Sequence, residues 1–392
     1  MPHRARLPSI LWTNMNMPDV PLWLYFVAFL AVLGPLVFVH EYGHYIVGRW
    51  CGVKAETFSI GFGRKILGWT DKRGTEWKIG WLPLGGYVQF AGDRDAVSQP
   101  DADWQALPAE QRSHTFPAQP VWKRALIVLA GPVTNFLFAI LIFAAFAMVY
   151  GVGRTPPVIG KVDAGRPAAE AGLLAGDRIL SIDGRPVELF IDIQSAVSFN
   201  LAKPAELVVE RGGERFTLTL KPQMITETDP FGNKSQRAIL GVRPAKPVYT
   251  AVGPVEALGV GVDRTAAMVR LTASIMQQFL TGQRSIKEMG GPVKIAKASG
   301  EAASLGIEDL ILFAAFISIN LGFINLLPLP MLDGGHLAFY AYEAIRRRPA
   351  PPQAQEWAFR FGFAAIVTLM LVVTFNDLGS LGLWDGIARL IG

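Results

Sequence analysis

Four stretches of this chain are apolar on every helical face. Residues 22–39 and 125–150 carry no charged side chain, and 311–332 and 361–375 repeat the pattern. A helix without a polar face is buried in a large core or embedded in lipid. The first run alone would rise roughly 27 Å as a helix, close to the hydrocarbon thickness of a bilayer. The expectation is four transmembrane helices, at 21–48, 125–150, 307–332 and 357–376. Pro35 falls inside the first and marks a place for a kink. No small-residue cleavage pattern follows that segment, so it is expected to stay in place behind a leader at 1–20.

Between the apolar runs the periodicity changes. Residues 158–162, 178–182, 206–210 and 216–220 read as strands, with turn signals at Asp183-Gly184 and Gly212-Gly213. With helices expected at 167–171 and 191–201, residues 155–222 form an inserted α/β domain of roughly 70 residues, large enough to fold alone. Residues 49–124 hold two stretches rich in glycine, β-branched and aromatic residues, 58–63 and 77–88, which read as short strands. Neither is long enough to cross, so a β region lying against or dipping into the membrane is expected. Pro100, Pro108, Pro117 and Pro120 make 93–120 a loop. Residues 223–306 read as periplasmic or interfacial helices: Glu256, Asp263, Arg264 and Arg270 interrupt the apolar positions, and Gly290-Gly291-Pro292 breaks the run. Residues 333–356 read as a cytoplasmic loop, and 377–392 as an interfacial segment.

Composition sharpens this picture. Of 392 residues, 51% are hydrophobic and 18% charged, where soluble domains have about a quarter charged. The net charge of +5 does not point to nucleic acid, because the basic residues sit beside the apolar runs. Arg49, Lys54, Arg64 and Lys65 through Lys123 and Arg124 mark 49–124 as cytoplasmic, and Arg346-Arg347-Arg348 mark the same side. One span separates the inserted domain from that segment, so it is expected in the opposite compartment. Cys51 is the only cysteine, which excludes an intrachain disulfide and a cysteine-based zinc site.

Chemistry enters at the end of the first run, in His40-Glu41-Tyr42-Gly43-His44. Residues four apart lie one turn apart on one helical face, so both imidazoles can reach one metal. Glu41 then stands beside the open position, where a glutamate acts as general base toward the attacking water. Ionisable residues in a span are costly and point to function. Two histidines leave zinc under-coordinated, and the topology offers Asp333, which follows the third run and shares its cytoplasmic end with the first. In isolation Asp333-Gly334-Gly335 reads as a turn; beside the zinc motif the ligand reading prevails. His336 competes for that role but lies past the glycine pair. Asn135, inside the second run, reads as a packing residue between helices. The strand at 80–88 reads equally as an ordinary hairpin or as an edge that holds an unwound substrate by β-addition.

Three motifs together, His40 to His44, Gly131-Pro132-Val133-Thr134-Asn135-Phe136 and the run from Asn325 to Gly335, resemble the site-2 protease family, most closely its bacterial RseP-type members. Gly85-Gly86-Tyr87-Val88, Gly291-Pro292-Val293 and Asn376-Asp377 extend the resemblance over nearly all of 20–380. Ala171-Gly172-Leu173, Gly176-Asp177-Arg178-Ile179 and Ile182-Asp183-Gly184 resemble a PDZ domain, and the chain has room for one.

The implied fold is a polytopic α-helical membrane protein with four transmembrane helices, a membrane-associated β region and one inserted PDZ-like α/β domain. The implied activity is zinc-dependent proteolysis, within the bilayer of a bacterial inner membrane, of single-pass membrane proteins such as anti-sigma factors. His40, His44 and Asp333 would hold Zn2+, Glu41 would be the base, and Asn325 with Gly85, Gly86, Tyr87 and Val88 would hold substrate. The PDZ domain would face the periplasm and the active site would lie near the cytoplasmic face. Two other classes compete. A zinc transporter or sensor would need several sites along a path, and these spans offer a single cluster. A PDZ adaptor without catalysis has no use for Glu41.

Overall fold

The computed structural model describes residues 20–93, 104, 108–199, 203–228, 234–282 and 290–380. Residues up to Ala144 and from Leu258 onward form one compact unit, and Ala145–Ala257 form a second. The expected leader lies outside the described residues except for its last position, as does 377–392 beyond its first four.

The first unit opens with α1 (Leu22–Trp50), β1 (Ala55–Thr70), β2 (Glu76–Phe90), the short α2 (Ala109–Ser113) and α3 (Val121–Tyr150). β1 and β2 are 16 and 15 residues long, where short strands were expected. Their pairing explains the difference. Phe58 lies opposite both Val88 and Trp77, and Ile60 opposite both Gly86 and Ile79, so residues 57–60 are flanked by both ends of β2. Register shifts at each change of partner break the two-residue alternation. Gly61 and Gly63, at φ +86° and +81°, sit where β1 changes neighbours, a backbone conformation that costs glycine little. Phe58 stacks on Trp77 at 4.4 Å. Tyr45, Phe58, Phe90, Ile127 and Tyr340 form one buried cluster that ties this sheet to α1 and α3.

The second unit contains β3 (Val152–Arg154), β4 (Ile159–Val162), α4 (Pro167–Glu170), β5 (Arg178–Ile182), β6 (Arg185–Pro186), α5 (Phe190–Phe199), β7 (Ala205–Arg211) and β8 (Glu214–Leu220). It continues through β9 (Gln223–Thr228), β10 (Lys234–Ile239), β11 (Val242–Pro244) and β12 (Val248–Thr250). Strands β6-β5-β7-β8 make a four-stranded sheet. Along β7, Ala205, Leu207 and Val209 are buried while Glu206 is exposed, the alternation of a half-buried strand. They join Ile159, Ile179, Ile182 and Phe190 in the core. Asp177, fully buried, pairs with Arg211 at 2.7 Å and accepts the Leu174 N–H at 2.8 Å. The unit therefore runs past the expected 155–222, because β9 to β12 occupy the start of a segment that was read as helical. Residues 242–244 pair with β4, and 248–250 with β3.

Helix α6 (Pro254–Leu280) leads back to the first unit, followed by α7 (Pro292–Leu305), α8 (Ile307–Asn325), α9 (Asp333–Arg346) and α10 (Pro352–Ser380). Helices α1, α3, α8 and α10 are long and apolar enough to cross a membrane. Three boundaries differ from expectation. Helix α8 stops at Asn325 rather than 332, and the chain turns through Pro328 and Pro330, which lack N–H donors for a continuing helix. Residues 333–346, expected as loop, are helical, with Gly334, Gly335 and Tyr340 buried. Helix α10 begins at Pro352, an N1 position suited to proline, and is longer than 357–376.

Candidate metal centre

The helical pitch of α1 stacks His40 and His44 on one face, with their Nε2 atoms 3.3 Å apart. Asp333, the first residue of α9, comes to them from the turn after α8. Its Oδ2 lies 3.2 Å from His40 Nε2 and 3.6 Å from His44 Nε2. Zinc bound tetrahedrally at its usual bond lengths separates neighbouring ligand atoms by roughly 3.3 Å, and these separations match. Asp333 Oδ2 is buried without a hydrogen bond, which a metal would relieve. The three residues form the one such cluster among the described residues. Two nitrogens and one carboxylate oxygen, leaving a fourth position, are a donor set for catalytic zinc.

Helix α3 is the pedestal of the site. The His44 Nδ1–H donates to the Ile127 carbonyl at 2.9 Å, which leaves the lone pair on Nε2. His40 Nδ1 lies 3.1 Å from the side-chain amide of Asn135. Gly131 lies against both rings: a Cβ there would collide with His44 Nε2 and stand 2.9 Å from His40 Cε1. From α1, Gly43 faces α3, where a Cβ would stand 2.6 Å from the Ala130 carbonyl. Small residues on facing helices thus allow the close approach. Gly131→Ala is expected to displace the imidazoles and weaken zinc binding by at least about tenfold, as losing an outer partner does. Chelator competition measures this, and an unchanged affinity would contradict the close approach.

Glu41 is buried, and the Val88 N–H of β2 donates to its carboxylate. Gly86 presses on it from the same strand, since a Cβ there would stand 2.9 Å from Glu41 Cγ. His40, Glu41, His44 and Asp333 open into a cavity of about 990 Å³, which Gly85, Gly86, Tyr87, Val88 and Asn325 also line. All nine residues singled out in the sequence therefore meet in one place. Asn325 Nδ2 lies 3.3 Å from His40 Nε2. His336 lines the cavity too, but its ring packs on Phe359 at 5.0 Å and it stands outside the three-ligand cluster. Nothing in the sequence marks Asn135, Gly131 or the Ile127 carbonyl as neighbours of the two histidine rings. The Gly131 to Asn135 motif was visible, but its partners are rings on another helix.

The model of peptidase family M50 matches residues 28–369. The chain belongs to this family. A relative from Agrobacterium fabrum, named as a zinc metalloprotease, is 45% identical over 362 residues, covering 91% of this chain and 96% of its own length. One from Rhizobium meliloti with the same description is 44% identical, covering 89% and 95%. Metalloprotease MmpA of Caulobacter vibrioides is 38% identical, covering 90% and 94%. Among solved structures, the PDZ domain of an SdrC-like protein from Listeria monocytogenes is 19% identical and covers 24% of this chain and 92% of its own. Its TM-score of 0.19 is too low to carry a fold assignment. As an M50 member the protein is a zinc-dependent metalloprotease of the site-2 protease type, with four helices able to cross a membrane.

Proposed function

We propose that this protease cleaves single-pass membrane proteins within the bilayer. His40, His44 and Asp333 hold its zinc, and Glu41 is its base. The observation that carries the reading is the meeting of two ligand atoms from α1, a membrane-capable helix, with one from Asp333 at the start of α9, just after the membrane-capable α8, beside a buried glutamate. Bound zinc supplies Lewis acidity, which makes water acidic near neutral pH and polarises a carbonyl. Glu41 takes the proton of the attacking water and returns it to the leaving amine. A helical substrate hides its carbonyls in its own hydrogen bonds, so it must unwind locally first. Strand pairing along Gly85 to Val88, beside Glu41, compensates the freed backbone groups, and Asn325 sits where it can hold the substrate next to His40.

The basic residues of 49–124 and Arg346 to Arg348 favour a site near the cytoplasmic face of an inner membrane, with a PDZ-like domain at 155–222 in the periplasm. There it would dock or filter substrates, of which anti-sigma factors are one class. The test is cleavage of a single-pass model protein by the purified chain in proteoliposomes. Cleavage inside the hydrophobic segment, abolished by chelator and restored by zinc, is expected. Cuts confined to the soluble flanks would sink the intramembrane reading.

A further inference from the structure

We infer that Asn135 is a positioning residue for the metal centre: its side-chain oxygen accepts a hydrogen bond from His40 Nδ1–H and so keeps the ring's lone pair on Nε2. The inference rests on the reading of His40 as a ligand through Nε2. A neutral imidazole has one donor nitrogen and one acceptor nitrogen. His40 Nε2 faces His44 Nε2 at 3.3 Å and Asp333 Oδ2 at 3.2 Å, so it is the ligand atom and the proton belongs on Nδ1.

The group 3.1 Å from Nδ1 is the amide end of Asn135, with Nδ2 turned toward the ring. Two donors cannot bond to each other. The other end of the same amide, Oδ1, is buried and has no hydrogen-bond partner. The two ends are nearly equal in size, so a half-turn of the amide brings Oδ1 to Nδ1–H without repacking. Asn135 is 0% exposed, which keeps bulk water from serving instead. Its backbone carbonyl accepts from Ser318 Oγ at 2.9 Å, fixing the residue between α3 and α8. Helix α3 then supplies both outer acceptors: a backbone carbonyl at Ile127 for His44, and a side chain at Asn135 for His40.

The experiment is zinc affinity of the full chain in detergent, by competition with a chromophoric chelator. Asn135→Leu keeps the volume and removes the acceptor, and should weaken zinc binding by about 10–100-fold. Asn135→Asp keeps an acceptor and has no donor, so its affinity should stay close to wild type. Thermal melts of the zinc-free forms show whether each variant folds. Wild-type affinity in Asn135→Leu overturns the inference. If that variant does not fold, Asn135→Asp decides: retained affinity supports the acceptor role, and a loss of about tenfold or more overturns it. His40→Ala in the same assay separates the two levels. If it keeps wild-type affinity, the ligand reading and the inference fail together. If it loses zinc while Asn135→Leu does not, only the inference fails.

Discussion

Glu41→Gln is expected to leave a zinc-loaded protein that no longer turns over. Glutamine has nearly the same shape, so it can keep the contact with Gly86 and accept the Val88 N–H through its side-chain oxygen. It cannot accept a proton from water at neutral pH. General-base catalysis is worth about 10²–10⁴-fold, and a loss of that size in single-turnover cleavage is predicted. Zinc stoichiometry, measured beside it, should be unchanged because Glu41 is outside the three-ligand cluster. Turnover at the wild-type rate with zinc bound would refute the base assignment. Loss of zinc together with activity would make the residue structural instead. The inactive, loaded variant should also retain uncleaved partners through purification, which gives a direct route to the physiological substrate.

What could be read from the sequence follows how local each determinant is. His40 and His44 were legible because a four-residue spacing on a helix is a property of one turn. Asp333 lies 289 positions after His44, yet it was found because membrane topology restricts which loop ends can share a depth. The glycine pair beside it falls in 333–356, expected as a loop. In isolation Gly334 and Gly335 suit a turn, whereas they stand in the first turn of α9. What they supply is missing Cβ atoms: one on Gly334 would collide with the Leu326 and Leu327 carbonyls, and one on Gly335 would stand 2.8 Å from Leu329 C. Pattern alone does not distinguish a glycine needed for backbone conformation from one needed for close approach. The long β1–β2 pairing was hidden for a related reason, since residues 57–60 change partners within a few positions. Asn135 was read as packing between helices, which its bond from Ser318 supports, but its side chain turns toward a ring 95 positions away.

Asp333→Asn is expected to lose zinc, and with it all cleavage. The side chain of Asp333 touches both histidines at once through a single oxygen, so its removal opens one face of the site rather than one edge. Its position at the N-terminus of α9 favours a negative charge, which the amide lacks. Outer-shell changes cost about 10–100-fold in metal affinity; removing one of three protein ligands should cost more. Zinc at 100 times its dissociation constant stabilises the folded protein by about 2.7 kcal/mol, so the wild type should melt higher with zinc than after chelation. In Asp333→Asn that difference should vanish at the same zinc concentration. Full occupancy in the variant would exclude Asp333 as a ligand and turn attention to His336, which lines the same cavity. His336→Ala completes the comparison. With Asp333 as the third ligand, this variant should bind zinc nearly as the wild type does, because its ring packs against Phe359 rather than into the cluster.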